Sequence, residues 1–294
     1  MVVLGLVSAQ VVGAVRGPAA SAVESGGAAA SAVQPSGTKQ NRTPRRCPAE
    51  MALVGAVCVD RWEVHTVDRV SGAELSAYYP PEPKLLRFVH DFWVLEAARV
   101  GSERARRFPL PPVPPVQRAD FSPRAVSAAG HVPQGYFSSI TARLACENAG
   151  KRLCTEQEWV RACRSSGGTK HPYADSFEWG RCNVFRNMHP AHELHGNSSL
   201  GHLDPRLHLV WEEGTRPLLL LTGQQPTCAS ATESDGAIYD MVGNLDEWID
   251  DPAGVFVGGF YARATREGCE AKVTNHGPQY ADYSLGTRCC MAAR

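Results

Sequence analysis

The alternation of apolar and polar residues near the middle of the chain predicts two consecutive helices. In the first, the apolar residues Ile140, Leu144 and Ala145 recur at helical spacing. Ser138 is placed to accept hydrogen bonds from the free N–H groups at a helix start, and Gly150 is a typical helix end. We therefore expect a helix that begins at Ser138, ends just before Gly150 and presents one apolar face.

The second predicted helix follows directly. Thr155 and Glu158 have the spacing of a capping box, in which the hydroxyl and the carboxylate each satisfy a free N–H group at the helix start. Trp159 and Cys163 are four residues apart, and residues at this spacing share one face of a helix.

After residue 255 the pattern changes to short apolar runs separated by turn residues, which is typical of short strands. The segment 186–236 is different, because Gly, Pro, His and Asn are frequent and the apolar run is Leu218–Leu221. We expect long loops there, with one or two short strands. Few helices, short strands and abundant loops indicate an α+β fold that is stabilised by cross-links. The C-terminal runs expected to form strands are VFVGGFYA (255–262), KVTNHG (272–277) and SLGTRCCMA (284–292).

The N-terminal part of the chain differs in composition from the rest. Val2–Val15 is apolar and has the length of a signal-peptide core, which is too short to cross a bilayer. We expect a signal peptide over residues 1–22, a flexible Ala/Ser/Gly-rich linker over 23–46 and a globular domain over 47–294. A disordered head is the alternative for the first segment, because no Lys or Arg precedes its apolar run.

Net charge and cysteine content narrow the function classes. The formal net charge is +0, so the chain lacks the basic field that holds a nucleic acid, and we expect no nucleic-acid partner. Ten cysteines without a CxxC pair favour disulfides, which persist in oxidising compartments, over a zinc site. Buried free thiols are the alternative. The composition therefore predicts an exported protein without a transmembrane span.

The segment AIYDMVGNLDEW (237–248) places three carboxylates and a Gly-Asn step between aromatic residues. Carboxylate and carbonyl oxygens gathered in a turn are the ligands that Ca²⁺ takes in proteins. The segment therefore predicts a calcium site. A hydrogen-bonded turn that holds no metal is the alternative.

Six sequence blocks, in this order along the chain, resemble the formylglycine-generating enzyme (sulfatase-modifying factor) domain family. This resemblance implies a variant of the C-type lectin fold, with little regular secondary structure and several disulfides. Because one fold hosts many functions, the resemblance does not by itself imply activity. The blocks are CPAEMALVGAVCVDRWEV (47–64), SSITARLACENAGKRLCTEQEWVRACR (138–164), EWGRCNV (178–184), AIYDMVGNLDEW (237–248), VFVGGFYA (255–262) and LGTRCC (285–290).

The resemblance also implies two structural calcium sites. The ligands of the first are side-chain oxygens and backbone carbonyls of the acidic segment, and those of the second begin in the EWGRCNV block and continue into the divergent 186–236 region, where we do not place them. The family has Asn at the position of Asp240, and the added charge is not expected to weaken cation binding. The implied ligands are Asp240 and Glu247 with the carbonyls of Gly243 and Leu245 at the first site, and Asn183 with the carbonyl of Val184 at the second.

Two disulfides follow from the resemblance and three more are our inference. The family's pattern pairs Cys146 with Cys289 and Cys163 with Cys269. Among the remaining cysteines, two that replace non-cysteine residues of the family pattern lie next to paired ones, two flank the first expected hairpin, and two bracket the long loop. The inferred pairs are Cys154–Cys290, Cys47–Cys58 and Cys182–Cys228.

The catalytic members of this family hold copper with two cysteine thiolates, which are the soft ligands that Cu(I) needs. The corresponding interval here, residues 257–268, contains no cysteine. The sequence VGGF replaces the family's RGGS at its start, and Asp246 replaces an aromatic residue. We therefore expect neither copper nor oxidase activity.

A different metal centre is suggested by His189, His192 and His195. Some relatives in the family are non-haem iron enzymes, whose sites use histidines and a carboxylate. Pro190 disfavours a regular helix through His189, and a solvated polar loop is the alternative.

Two function hypotheses follow. The first is an exported pseudoenzyme that calcium and disulfides stabilise and that binds a protein, peptide or glycan through its loops. Its expected ligand surface includes Tyr261, Arg263 and Arg266, although core packing is the plainer explanation for the tyrosine. The second is a divergent metal-dependent oxidoreductase, either a formylglycine-forming oxidase or a non-haem iron oxygenase.

Overall fold

The computed structural model describes residues 46–211, 217–232, 236–263 and 265–294. The expected signal peptide at 1–22 lies outside these ranges, as does the expected linker at 23–46 apart from Arg46.

Regular secondary structure is sparse in the described residues, as the α+β prediction requires. The strands have two to five residues, and the helices are short except for one of 14 residues. The strands are β1 (Met51–Val54), β2 (Val57–Asp60), β3 (Val64–Asp68), β4 (Pro123–Ser127), β5 (Arg152–Leu153), β6 (Ala229–Ala231), β7 (Ala237–Tyr239), β8 (Asp246–Trp248), β9 (Phe256–Val257), β10 (Lys272–Val273), β11 (Leu285–Thr287) and β12 (Cys289–Ala292). The helices are α1 (Pro83–Glu96), α2 (Glu103–Arg107), α3 (Ser139–Asn148), α4 (Glu156–Cys163) and α5 (Pro190–His195).

Two four-stranded sheets bring distant parts of the chain together. The first has the order β1-β2-β12-β5, so the last strand pairs with the first hairpin. The second has the order β10-β9-β8-β11, in which β8 and β11 are parallel. The pairs β3–β4 and β6–β7 form two further antiparallel ribbons. The parallel contact places the acidic segment beside the C-terminal strands.

The two helices expected from the capping pattern begin where they were predicted. Ser138 and Thr141 form a capping box at α3, and Thr155 and Glu158 form one at α4. In α4, Trp159 faces the core as expected.

The apolar face predicted for α3 is wrong at two of its three residues. Ile140 and Leu144 are 54% and 41% exposed, whereas Ala142, Ala145 and Cys146 are buried. The helix packs on β4 through its small residues, and the Cys146 disulfide fixes that face inward. Close packing against a strand therefore outweighs the burial of two larger side chains.

The helix α1 was not predicted from the sequence. It buries Leu86, Val89 and Trp93 but leaves Phe88 66% exposed. Apolar residues on both sides of a helix obscure the 3.6-residue period on which the sequence prediction depends. The described helices include none that is long and apolar enough to cross a bilayer.

All ten cysteines form disulfides, in the combinations expected from the sequence. Three of the bridges lie in one apolar cluster around Trp159, so they brace the core itself. The bridges are Cys47–Cys58, Cys146–Cys289, Cys154–Cys290, Cys163–Cys269 and Cys182–Cys228.

Candidate functional site: a buried acidic cluster and its neighbours

The acidic segment folds as a turn with left-handed backbone positions. Asp240 and Asn244 have φ values of 58° and 60°, which short polar side chains tolerate better than other residues do. Gly243 has a φ of 84°, and a Cβ added there would lie 2.4 Å from the carbonyl oxygen of Asn183. The Gly-Asn step is therefore required both by the backbone conformation and by the close approach of the neighbouring loop.

Glu63 holds this turn from the far end of the chain and was missed in the sequence analysis. Its Oε1 accepts a hydrogen bond from the backbone N–H of Leu245 at 3.0 Å, and its Oε2 accepts one from Nδ2 of Asn244 at 2.6 Å. The side chain is fully buried. A charged residue directly before the apolar start of β3 is the signal that could have indicated it.

Glu247 is paired with Arg288, which sequence analysis also missed. Arg288 donates to the two carboxylate oxygens through Nε at 2.7 Å and Nη2 at 2.6 Å, and Trp159 donates through Nε1 at 2.6 Å. Arg288 also donates to the carbonyls of Asp60 and Tyr239. This buried guanidinium thus connects the acidic turn to the first sheet and to β7.

The cluster contains more acidic than basic side chains. Burial raises the pKa of Asp240 to about 7, although the N–H of Gly223 and Arg288 oppose the shift. Burial, together with nearby Asp240 and Glu247, raises the pKa of Glu63 well above its ordinary value, although Arg288 partly offsets the effect. Three buried carboxylates around one guanidinium can be neutralised by protons or by a bound cation.

The first expected calcium site fits a hard cation in charge and in donor type. Asp240 accepts a hydrogen bond from Gly223 N through Oδ2, and its carboxylate oxygens are of the donor type that Ca²⁺ takes. The fit is weaker at Glu247, because Arg288 and Trp159 already donate to both of its carboxylate oxygens. A cation at this position would have to share Glu247 with Arg288.

The second expected site adjoins the first. The carbonyl of Asn183 accepts a hydrogen bond from the N–H of Asn244, and the Val184 side chain occupies the space that a Cβ on Gly243 would need. The Asn183 amide donates to Leu218 O and to Asn244 Oδ1. Its own Oδ1 is buried and has no hydrogen-bond partner within the described residues. An unpartnered oxygen of this kind suits a cation ligand.

An ion pair between Asp246 and Arg263 lies beside the cluster. Oδ1 of Asp246 accepts hydrogen bonds from Nη1 of Arg263 at 2.9 Å and from the N–H of Gly259 at 3.0 Å. Burial raises the pKa of Asp246 to about 7, even though Arg263 opposes the shift. The Arg263 guanidinium also lies over the ring of Phe260, 5.4 Å from its centre.

The expected ligand surface is corrected at one of its three positions. Tyr261 is fully buried and packs against Phe260 and Tyr283 in one of the hydrophobic core clusters. Arg263 is partly exposed, and Arg266 is exposed.

Arg266 is surrounded by aromatic rings. Its guanidinium lies 5.4 to 5.8 Å from the ring centres of Phe177, Trp179 and Phe185, and the three rings contact one another. Trp179 is 67% exposed. These four residues, which we call the aromatic cluster, form an apolar surface with a cation at its centre.

The three histidines of the alternative metal centre do not converge. His189 Nε2 lies 3.3 Å from the hydroxyl of Tyr283, whereas His195 Nε2 lies 3.0 Å from Oδ2 of Asp204. His192 is exposed. The short helix α5 starts after His189, so its turn directs the histidines to different partners. This arrangement does not fit an iron site.

A copper centre of the family's type does not fit either. Two thiolates are needed to hold Cu(I), and every cysteine sulfur of this chain is in a disulfide.

Comparison with known proteins identifies the relationship. Residues 117–293 match the family model of the sulfatase-modifying factor enzyme 1-like domain. The chain is 30% identical over 142 residues to the inactive C-alpha-formylglycine-generating enzyme 2 of Bos taurus. That alignment covers 46% of this chain and 39% of the relative, so the chain matches less than half of the relative's length.

Solved structures with a similar arrangement have low sequence identity. The crystal structure of CarF is 13% identical, with a TM-score of 0.39, and the match covers 80% of this chain and 86% of CarF. The U1 variant of the Major Tropism Determinant is 13% identical, with a TM-score of 0.38, over 86% of this chain and 55% of that chain.

Proposed function

The chain belongs to the sulfatase-modifying factor enzyme family, and we propose that it is an exported binding module of that family without oxidase activity. One observation carries the proposal: all ten cysteines are in disulfides, so no thiolate pair remains to hold copper. The Asp246–Arg263 ion pair supports it, because both residues lie where the chain departs from the catalytic pattern. Arg263 is in the interval 257–268, which contains no cysteine, and Asp246 replaces an aromatic residue.

The five disulfides indicate an oxidising environment, in which such bridges persist. They support export, because thiols are kept reduced in the cytosol of most organisms. The exported compartment is part of the proposal, as is the signal peptide expected at residues 1–22.

We further propose that calcium stabilises the acidic cluster. Oxygens of Asp240, Gly243, Leu245 and Glu247 would hold one ion, and Asn183 with Val184 would contribute to a second. Bound calcium would offset the charge of the buried carboxylates. The chain's own residues supply the rest: Glu63 fixes the turn, and Arg288 shares Glu247.

The ligand surface is assigned to the aromatic cluster and the neighbouring Arg263. Exposed Trp and Arg side chains are enriched among residues that dominate binding energy at interfaces. Trp179 and Arg266 are both accessible, and the loops that carry them are tied to the disulfide-braced core through Cys182 and Cys269. A protein, peptide or glycan partner would therefore meet a preformed surface, which lowers the entropic cost of binding.

The absence of oxidase activity is tested with the intact purified protein. It is mixed with Cu(I) and a cysteine-containing sulfatase peptide, and oxygen uptake and aldehyde formation are measured. A family member that has both copper cysteines serves as the positive control. We expect no oxygen uptake above the copper-only background. Aldehyde formation on the peptide would overturn the proposal.

The binding role is tested by comparing variants on arrays of peptides and glycans. We expect ligands that the wild-type protein captures to be lost by Trp179→Ala and by Arg266→Ala. Trp211→Ala is the matched control, because Trp211 is a second exposed tryptophan outside the aromatic cluster. If all captured ligands remain bound to both cluster variants, the assigned surface is wrong.

A further inference from the structure

A second group of ligand-type side chains lies outside the acidic cluster. His65, Glu74 and His131 each offer one nitrogen or carboxylate oxygen, and these atoms all lie within 4.8 Å of one another. His65 belongs to β3, Glu74 lies in the turn that follows that strand, and His131 lies in the loop after β4. The three residues line a cavity of about 310 Å³.

The backbone holds all three residues in place. His65 pairs with Val126 in the β3–β4 ribbon, and Glu74 forms an isolated bridge with Val67. The N–H of His131 donates to Oγ1 of Thr222, and its carbonyl accepts from the N–H of Thr222. The ligand set is therefore preorganised on three connected segments, which is what a metal site requires.

His65 provides an independent sign of a missing partner. The residue is 8% exposed, and its Nδ1 is buried without a hydrogen-bond partner in the part of the chain that the structure describes. A buried polar atom without a partner lowers the stability of the folded protein, and a bound metal ion would give this nitrogen a partner.

We propose that His65, Glu74 and His131 bind a divalent transition metal ion, with zinc as the expected ion. Two imidazoles and one carboxylate are a common ligand set for zinc with an open position, and the cavity supplies room for a water or ligand at that position. Calcium is disfavoured, because it takes oxygen ligands. This site is separate from the oxygen-rich acidic cluster.

Metal binding requires a small rearrangement. The rings of His65 and His131 stack with centres 3.9 Å apart, and Nδ1 of His131 lies 3.5 Å from Oε1 of Glu74. Zinc ligands lie about 2.0–2.2 Å from the ion, so the His131 ring and the Glu74 carboxylate must move to share an ion with His65. The side chains of His131 and Glu74 are 38% and 70% exposed, which leaves them free to move while buried His65 stays fixed.

The experiment is a zinc titration of the full chain, produced without a histidine tag and treated with chelator. Calorimetry measures zinc affinity, and Co²⁺ absorption reports the coordination geometry. We expect one equivalent of bound zinc. Glu74→Gln and His131→Ala should each weaken binding about 10-fold or more, because each removes one of three protein ligands. Both positions are partly exposed, so neither change is expected to unfold the protein.

His192→Ala is the matched control, because His192 is an exposed histidine of the rejected alternative centre. We expect it to keep the wild-type zinc affinity and cobalt spectrum. Wild-type protein that binds no zinc, or variants at positions 74 and 131 that retain the wild-type affinity, would overturn the proposal. The stacked histidines and the Glu74 contact would then be a purely structural arrangement.

Discussion

Arg263 and Asp246 form an ion pair, with Nη1 of Arg263 2.9 Å from Oδ1 of Asp246. They stand where the chain departs from the catalytic pattern of its family, Asp246 in place of an aromatic residue and Arg263 in the interval that lacks copper cysteines. Asp246 without Arg263 would be unfavourable, because a buried carboxylate needs a partner. In the folded protein, Arg263 supplies a partner for the buried carboxylate of Asp246.

We therefore expect Arg263→Met to destabilise the protein more than the double change Arg263→Met with Asp246→Asn. The single change leaves the fully buried Asp246 without its guanidinium, at a cost of about 2–4 kcal/mol, which is reduced because Arg263 is one-third exposed. Denaturant unfolding of both variants measures the difference. Equal stability of the two variants would show that the pair does not couple.

Calcium is expected to raise the unfolding temperature, and Asp240→Ala is expected to remove the effect. A cation that binds the folded state at 100 times its dissociation constant adds about 2.7 kcal/mol to the free energy of unfolding. Thermal unfolding is followed in calcium and in chelator. Asp91→Ala, at a position whose side chain is 79% exposed, should keep the full calcium shift. An unchanged shift in Asp240→Ala would remove this site from the proposal.

Glu63→Gln tests the anchor of the acidic turn. The amide keeps one acceptor oxygen but places an NH₂ group against the donor of Asn244 or the N–H of Leu245. We expect a loss of about 1–3 kcal/mol, the cost of leaving a buried donor unpaired. Denaturant unfolding measures it, with Glu50→Gln on the nearby surface as control. A loss no larger than in the control would mean that Glu63 does not hold the turn.

His208 should make stability depend on pH. Burial lowers its pKa to about 3, so between pH 3 and its unfolded value near 6.5 the unfolded chain binds a proton that the folded protein does not. Stability therefore rises with pH across this window and is lost as the pH falls, by up to about 1.4 kcal/mol per pH unit.

Replacement of His208 by Phe keeps an aromatic ring beside Tyr136 and Tyr283 and removes the titration. The free energy of unfolding of both proteins is measured at intervals between pH 4 and 7. We expect the variant to lose less stability than the wild type on acidification. If the free energy of unfolding fell equally in both proteins, His208 would not be the source of this pH dependence.

Two disulfides that close loops of different length should differ in their contribution to stability. Cys154 lies eight residues after Cys146, and Cys290 follows Cys289. With the Cys146–Cys289 bridge intact, the Cys154–Cys290 bridge therefore closes a loop of about 10 residues. Its removal should cost roughly 2–3 kcal/mol in the chain-entropy description.

The Cys182–Cys228 bridge closes a loop of 46 residues. Replacing both of its cysteines with alanine should cost roughly 4 kcal/mol, more than the double replacement of Cys154 and Cys290. The two variants are compared by denaturant unfolding under oxidising conditions. The reverse order would show that strain or packing, not loop length, decides the difference.

Several features were accessible from the sequence because they depend on neighbouring residues. The capping boxes at Ser138 and Thr155 join residues three positions apart, so the helix starts could be predicted. The turn at Gly243 and Asn244 was indicated in the same way. The family pattern added two of the cysteine pairs, and the positions of the remaining cysteines along the chain suggested the other three, which composition alone leaves open.

Other features were decided by the tertiary structure, since they join residues far apart in the chain. Glu63 reaches Asn244 across 181 positions, and the His65 and His131 rings meet because two strands pair in one register. Tertiary packing also buried Tyr261 and left Ile140 exposed. The sequence alone determined the local conformations and the number of cross-links, because both depend on short-range geometry and composition. The tertiary structure decided which charges and ligands meet, because only the packed chain brings distant side chains within reach and removes water from between them.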